Sequence, residues 1–408
     1  MNRKLLLAAV MAVAFVAPMA GTTDSPLTHW VATWGAPPMP PGSAFLAPRA
    51  FEDQTIRHVV HVSVGGRRVR VRLSNTFGAA PLLIGSAHVA LHGDGASIVP
   101  GSDRTLTFSG QPSITIPTGA LALSDPVNLD VPARGDLAVS VYVPENTGPA
   151  TFHESSEETA YISAPGDFTG SADVPVAEAT VSRFWLSAVE VSTREEVGTL
   201  VTLGDSITEG FQSTIDAHRS WPDLLSARLN PRSGPPRLAV MNQGIGCSRL
   251  LFDFCGPNGA GRFDRDVLAV TGVTQVIVAY GLNDIGLPIV AGIPSQVVSA
   301  STVIVGLSQL IERAHEKGLA IYGATITPVG TSIYPGFFTP ENEAKRQAVN
   351  RWIRTSRKFD GVIDFDRAVR DPGQPNRLLA AYDSGDGVHP SDAGYAAMAN
   401  AIDLSLFR

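Results

Sequence analysis

Two patterns of apolar and polar positions divide the chain. From about Trp30 to Val191, short runs alternate with a period of two, the spacing that sends successive side chains to opposite faces of a strand. Residues 56–64 alternate in part. Arg68-Val69-Arg70-Val71-Arg72-Leu73 places Val69, Val71 and Leu73 on one face and three arginines on the other. Residues 113–116 and 137–143 repeat the theme, and Gly65-Gly66, Gly93-Asp94-Gly95 and Pro144-Glu145-Asn146 supply turns between such runs. No helical periodicity of useful length interrupts them. Many short strands separated by frequent turns predict an all-β sandwich of jelly-roll type.

After about Val197 the pattern changes to strand–helix alternation. Apolar strand candidates lie at 199–203, 238–241, 275–280, 319–324 and 362–365. Helical patterns occupy 221–229, 296–316, 341–357 and 392–404, with Asn230 and Gly318 as C-terminal stops and Ser391 as an N-cap. Five largely apolar strands alternating with helices predict a parallel sheet covered on both faces. Ligands of such sheets bind beyond the carboxyl ends of the strands. The polar stretch 192–196 is the natural boundary, which predicts an all-β domain at 28–192 and an α/β domain at 197–408.

Composition agrees with two cores. The chain has 408 residues, long for one domain, with 44% hydrophobic and 17% charged residues. A net charge of −7 leaves no basic footprint for nucleic acid, which excludes that class of partner. Asn2-Arg3-Lys4 followed by an apolar run over 5–17 and small residues around Ala20 and Gly21 predicts a signal peptide at 1–21. That run is too short to span about 30 Å of hydrocarbon. The mature chain is therefore expected to be periplasmic or extracellular, with no stable membrane span after cleavage. Cys247 and Cys255 are the only cysteines, and two nearby cysteines in an exported chain are more often paired than free. They cannot make a zinc site by themselves, and no His cluster with ligand spacing lies beside them, so neither a metal nor a cofactor is expected.

Four segments carry candidate chemistry. In Leu203-Gly204-Asp205-Ser206 a serine follows a buried strand, where it either caps a helix or turns its hydroxyl into a cleft. The elbow Gly-x-Ser-x-Gly is not met, because Thr208 stands at the second glycine. Asp386-Gly387-Val388-His389-Pro390 puts a carboxylate three residues before an imidazole. A serine becomes nucleophilic when a histidine accepts its proton and a carboxylate fixes the tautomer and stabilises the imidazolium. Tyr280-Gly281-Leu282-Asn283-Asp284 ends a strand with a neutral amide donor, which suits an oxyanion; an Asx turn is the plainer use. Asn242-Gln243-Gly244-Ile245-Gly246-Cys247-Ser248-Arg249 follows the second strand, with small residues that let backbone N–H groups approach a ligand.

Taken in chain order, these segments resemble the signature blocks of the GDSL esterases, the SGNH hydrolase superfamily. The likeness covers 199–398, about half the chain. It implies a flavodoxin-like three-layer α/β/α sandwich, here preceded by the all-β sandwich, and a Ser–His–Asp triad. Ser206 resembles the nucleophile, His389 the base and Asp386 its orienter. The oxyanion hole would take the N–H of Ser206, a backbone N–H of the second block and the side chain of Asn283. The family pattern Asn-x-Gly-Ile-x-Gly ends at a glycine, whereas this chain has Cys247 there, preceded by Gly246. Any residue except proline offers the same N–H, but a cysteine restricts the backbone and brings a side chain towards the cleft. A Cys247–Cys255 disulfide bracing the oxyanion loop is the expectation that follows.

The implied activity is hydrolysis of carboxylic esters through an acyl-enzyme. The substrate would be a small-molecule or polysaccharide ester, with short acyl or acetyl groups on carbohydrate as one option. Export with a β-sandwich resembles the acetylxylan esterases of the superfamily, and a general carboxylesterase is the equal alternative. The rival of another class is a non-catalytic carbohydrate-binding protein on the same fold. Trp30 and Trp34 are too few for a sugar-binding aromatic ladder, and core packing explains them as well. Arg249, Asp284 and Tyr382 are further cleft candidates, with structural pairing an equal reading for each. Asp383 competes with Asp386, whose spacing from His389 is the better one. His218 and His315 read as helix-surface residues.

Overall fold

The computed structural model describes residues 29–193, 196–231 and 237–407. The expected signal peptide lies outside the described residues, as does part of the expected boundary at 192–196. The first unit is built on two large antiparallel sheets, with the two-stranded ribbons Leu82–Ile84/Ile114–Ile116 and Phe152–His153/Arg183–Phe184 beside them. One sheet, of five strands, orders His29–Gly35, Leu186–Thr193, Gly66–Ser74 and Leu121–Leu123, with Val127–Val131 also on Gly66–Ser74. The other, of six strands, orders Val176–Thr180, Ala160–Pro165, Gln54–His61, Asp136–Val143, Ser86–Leu91 and Arg104–Thr105. Val69, Val71 and Leu73 from the first sheet and Ile56, Val60, Val139 and Val141 from the second are buried in one core between them. Where the apolar alternation has a period of two, as in Gly66–Ser74, the apolar side of the strand becomes the sandwich interior.

The opposite face of Gly66–Ser74 is not simply solvated. Arg70 and Arg72 flank the buried Glu190 at 2.6 and 2.8 Å, and Arg72 also reaches Thr271 of the second unit at 3.2 Å. Trp30 lies under the Arg70 guanidinium at 4.2 Å. Trp34 donates its indole N–H to Glu158 at 3.0 Å. Both tryptophans thus have structural uses.

The second unit is a five-stranded parallel sheet in the order Leu238–Gly244, Gly198–Gly204, Val273–Ala279, Ala320–Ala324, Gly361–Ile363. That is the doubly wound 2-1-3-4-5 order. The helices pack as two groups, with Trp221–Leu229, Phe365–Val369 and Asp392–Ala401 in one and Gly259–Phe263, Leu282–Val290, Ala300–Glu316 and Pro340–Thr355 in the other. The result is the α/β/α arrangement. Gly204 stands level with Gly244 on one side and Ala279 on the other, so three strands end together and release their loops into one place.

Several expected boundaries move. The strand expected at 362–365 stops at Ile363, because Asp364 accepts the Arg367 N–H and caps a new helix, Phe365–Val369. The helix expected from 296 begins at Ala300 under the Ser299 cap, after a tight turn at Pro294–Gln296. Asn230 and Ser391 cap as expected, and Gly318 sits at φ +71°. The two units share packing as well as chain. Ala239 and Ile245 of the parallel sheet join the sandwich core, Ala32 N–H donates to Thr271 O at 3.0 Å, and Val240 N–H donates to Ser63 at 2.9 Å. No helix among the described residues is long and apolar enough to cross a membrane.

Candidate active site

Ser206 opens the short helix Ser206–Glu209, just after the strand Gly198–Gly204, which lies inside the sheet. Asp205, not Ser206, caps that helix: its carboxyl accepts the Ile207 N–H at 3.0 Å. The capping alternative for Ser206 is thus met by its neighbour. The Ser206 Oγ lies 2.8 Å from His389 Nε2. His389 Nδ1 lies 2.6 Å from Asp386 Oδ2, and Asp386 Oδ1 accepts the N–H groups of Val388 and His389 at 2.8 Å each. Burial alone would raise the Asp386 pKa. The hydrogen bond and charge of His389 and the two N–H groups outweigh burial and hold it at about 2. The carboxylate is therefore ionised wherever the imidazole needs it. The edge of the Phe211 ring meets the imidazole at 4.9 Å between centroids.

The turn that carries both partners depends on glycine. Gly387 has φ +70°, and a Cβ there would lie 2.2 Å from the Thr331 backbone. Asp383, the competing carboxylate, accepts the N–H groups of Gly385 and Gly387 at 2.8 and 3.0 Å and shapes this turn.

The second-block loop packs on the turn that carries Ser206. Asn242 donates its side-chain amide to Thr208 O at 2.9 Å, and Ile245 N–H donates to Gly204 O at 3.2 Å. A Cβ on Gly244 would fall 2.1 Å from the Glu209 nitrogen, so only glycine permits this approach. Cys247 has φ +45°, the left-handed region that glycine enters freely and other residues enter at a cost. It is bonded to Cys255 across a separation of 8 residues, with Cα atoms 5.9 Å apart. Gly246, just before Cys247, lies against the Glu209 carboxyl, whose Oε2 is 3.0 Å from where a Gly246 Cβ would stand.

Asn283 sits in the first turn of Leu282–Val290, after Gly281 at φ +117°. Its Nδ2 donates to Ser248 O at 3.1 Å, leaving the second amide hydrogen for another acceptor. Ser206, Cys247, Asn283 and His389 all line one cavity of about 410 Å³. Its remaining wall is mainly apolar, from Phe45, Phe211, Leu287, Val290, Tyr334, Phe337 and Val388, with Glu154, Ser155 and Glu209 as polar exceptions.

Arg249, Asp284 and Tyr382 are not among the residues lining this cavity. Arg249 bonds the Gln296 side chain and stacks on Phe252 at 4.7 Å. Asp284 accepts the N–H groups of Leu250 and Leu251 at 2.7 and 3.0 Å. His315 is on a helix and bonds Asp360 at 3.0 Å. His218 is a correction to the helix-surface reading. It lies in a loop at φ +52°, stacked on His61 at 3.8 Å between centroids, and both rings approach Asp136. These three residues bring ligand-type atoms within 4.8 Å of one another. The stacked rings sharing one carboxylate oxygen suit hydrogen bonding.

Sequence reasoning missed Glu209 and its partner His153. Glu209 stands only three residues after Ser206, but its neighbour comes from the all-β unit, 56 positions earlier, and no spacing announces that. The apolar wall was equally hidden, since Phe45 and Leu287 belong to different units.

Residues 202–397 match the GDSL-like lipase/acylhydrolase family. Solved structures similar to this chain include a GDSL-like lipase from Bacteroides thetaiotaomicron at 19% identity, covering 52% of this chain and 89% of that one, with a TM-score of 0.40. A carbohydrate acetylesterase family member from Sinorhizobium meliloti is 19% identical, covering 50% and 95%, with a TM-score of 0.39. The aryl esterase of M. smegmatis is 14% identical, covering 50% and 96%, with a TM-score of 0.38. No curated protein matches the chain.

Proposed function

We propose that this chain, whose residues 202–397 belong to the GDSL-like lipase/acylhydrolase family, is a serine esterase with Ser206 as nucleophile, His389 as base and Asp386 as orienter. The observation that carries the proposal is the run of contacts from Ser206 Oγ to His389 at 2.8 Å and from His389 to Asp386 at 2.6 Å, opening on the cavity. In the first step His389 Nε2 takes the Ser206 proton as Oγ bonds to the ester carbonyl carbon. The carbonyl oxygen becomes an oxyanion, received by the N–H groups of Ser206 and Cys247 and by the free amide hydrogen of Asn283. The imidazolium then gives its proton to the leaving alcohol oxygen as the C–O bond breaks. Water, deprotonated by His389, attacks the acyl-enzyme and releases the acid and Ser206.

The apolar wall favours esters with an apolar acyl or aryl group over acetyl groups on a polysaccharide. A sugar would leave its hydroxyls facing Phe45, Phe211, Leu287 and Phe337, with Glu154, Ser155 and Glu209 as the few polar partners. Export to the periplasm or the medium fits the N-terminal pattern and a disulfide beside the site.

Hydrolysis of p-nitrophenyl acetate, butyrate and octanoate, with acetylated xylan as the comparison, tests both parts. Ser206→Ala should abolish turnover at an unchanged melting temperature. Turnover persisting in a folded Ser206→Ala protein removes the nucleophile assignment. Activity on acetylated xylan above that on butyrate removes the apolar-ester reading. Tight carbohydrate binding without any hydrolysis would favour the binding-protein alternative.

A further inference from the structure

We propose that the all-β unit takes part in catalysis through His153, which buttresses Glu209 so that the Glu209 carboxyl holds the oxyanion loop at Gly246. The proposal rests on the esterase reading above and assigns positioning roles to two residues that the triad does not use.

Glu209 ends the helix that Ser206 begins, so it is fixed to the nucleophile by a single turn. Its side chain is only 3% exposed and lines the catalytic cavity. It meets the oxyanion loop in two ways. Its backbone is the surface against which Gly244 packs, and its carboxyl lies against Gly246, with Oε2 3.0 Å from where a Gly246 Cβ would stand. The peptide that follows Gly246 supplies the Cys247 N–H. The two peptide planes meet at the Gly246 Cα, so holding Gly246 in place narrows the range over which the Cys247 N–H can turn, and an oxyanion donor acts through direction.

The other carboxyl oxygen points away from the cleft into the all-β unit. Glu209 Oε1 lies 3.4 Å from His153 Nε2 and has no closer partner. His153 belongs to the strand Phe152–His153, paired with Arg183–Phe184, so it is held by the sheet. Its Nδ1 is 3.2 Å from Pro37 O and must donate there. That tautomer leaves Nε2 as an acceptor facing Glu209. A proton on Oε1 would turn this 3.4 Å approach into an O–H donated towards His153, while Oε2 stays against Gly246.

The electrostatics agree with a neutral pair. Burial, with Glu157 nearby, pushes the Glu209 carboxyl well above the usual carboxylate range, while the Gly246 N–H opposes this. Burial, then the Arg183 charge, brings His153 down to about 4. Two buried neutral partners avoid the desolvation cost of an ion pair and still fix each other's orientation. Ordinary core filling would be served by any apolar side chain here. A carboxyl divided between a catalytic loop and another unit's imidazole is better explained by positioning.

Steady-state kinetics of the full chain on p-nitrophenyl butyrate test this. Glu209→Ala should lower kcat by roughly 10–100-fold with KM within about twofold, because a misdirected oxyanion donor is felt in the transition state. Glu209→Gln keeps an acceptor for Gly246 and a donor for His153, and should restore kcat to within about threefold of wild type. His153→Ala should fall between them. A folded Glu209→Ala protein with wild-type kcat overturns the proposal. So does Glu209→Gln as damaged as Glu209→Ala, since that would require an ionisable group. Where Glu209→Ala does not fold, His153→Ala decides: loss of kcat at constant KM supports the role, and wild-type kcat ends it. Failure of the esterase reading itself is distinct, because it shows as activity surviving in Ser206→Ala.

Discussion

Asn283 brings its amide to the cavity from the first turn of a helix, with one hydrogen on Ser248 O at 3.1 Å and the other unassigned. On the proposed mechanism, Asn283→Ala removes a donor that acts on charge appearing only during reaction. It should lower kcat by about 10²–10³ while KM changes little; a loss of only a few-fold in steady-state kinetics would take Asn283 out of this role. Asp386 differs in kind, because it works on His389 and not on substrate. Asp386→Asn would offer an amide where Nδ1–H needs an acceptor and would favour the wrong tautomer, at a cost of roughly 10⁴ in kcat. Its pH behaviour follows from the depressed value of about 2. The folded carboxylate binds its proton later than the unfolded one. Its contribution to stability is therefore present above the ordinary value of 3.8 and is lost as pH falls through about 2.

At the scale of elements, the loop from Cys247 to Cys255 is where this chain departs from the GDSL pattern that its second block resembles. The left-handed φ of Cys247 is the conformation a glycine would adopt there, and the bridge to Cys255 holds a less tolerant residue in it. Cys255→Ser should cost about 2–3 kcal/mol of stability by loop entropy. It should also lower kcat more than it raises KM, because the released Cys247 can leave the left-handed region. Differential scanning calorimetry beside p-nitrophenyl butyrate kinetics checks both; an unchanged kcat would separate the bridge from the oxyanion site. The same elements show what the sequence revealed. The run from Arg68 to Leu73 was legible because one face of a strand is buried and the other is not. Asp386 and His389 were legible because one turn carries both. The helix Leu282–Val290 was not, since it is short and contains Pro288, a residue that ordinarily ends a helical run. The strand end at Ile363 was missed because the residue that stops it, Asp364, acts by capping, which local hydrophobicity does not register. Contacts between units, such as His153 on Glu209, have no local signature at all.

For the whole molecule, the junction of the two units has an acid–base dependence of its own. His61 ends Gln54–His61 and stands opposite Asp136, the first residue of Asp136–Val143. His218, from the α/β unit, stacks on His61 and approaches Asp136 at 3.5 Å and Glu158 at 3.7 Å. Asp223, on the helix Trp221–Leu229, adds to the negative surroundings, and Arg183 opposes them through its contact with Glu158 at 3.3 Å. Burial pulls the His61 pKa down, but Asp136, Asp223 and Glu158 together raise it above 6.5. Burial works to raise Asp136, and His61 and His218 overcome this and lower it below 3.8. A raised histidine stabilises the fold fully below the unfolded value and ceases to do so as pH rises through the folded one. A lowered aspartate contributes above 3.8 and stops contributing as pH falls through its depressed value. The pair is thus strongest in mildly acidic solution and weakens towards alkaline pH. His61→Gln keeps a polar side chain but removes the charge. The melting temperature of the wild type should exceed that of the variant most between about pH 5 and 6, and the gap should narrow by about pH 9. A gap that stays constant across this range would mean that His61 joins the units by packing on His218 alone, without the charge that Asp136 is placed to meet.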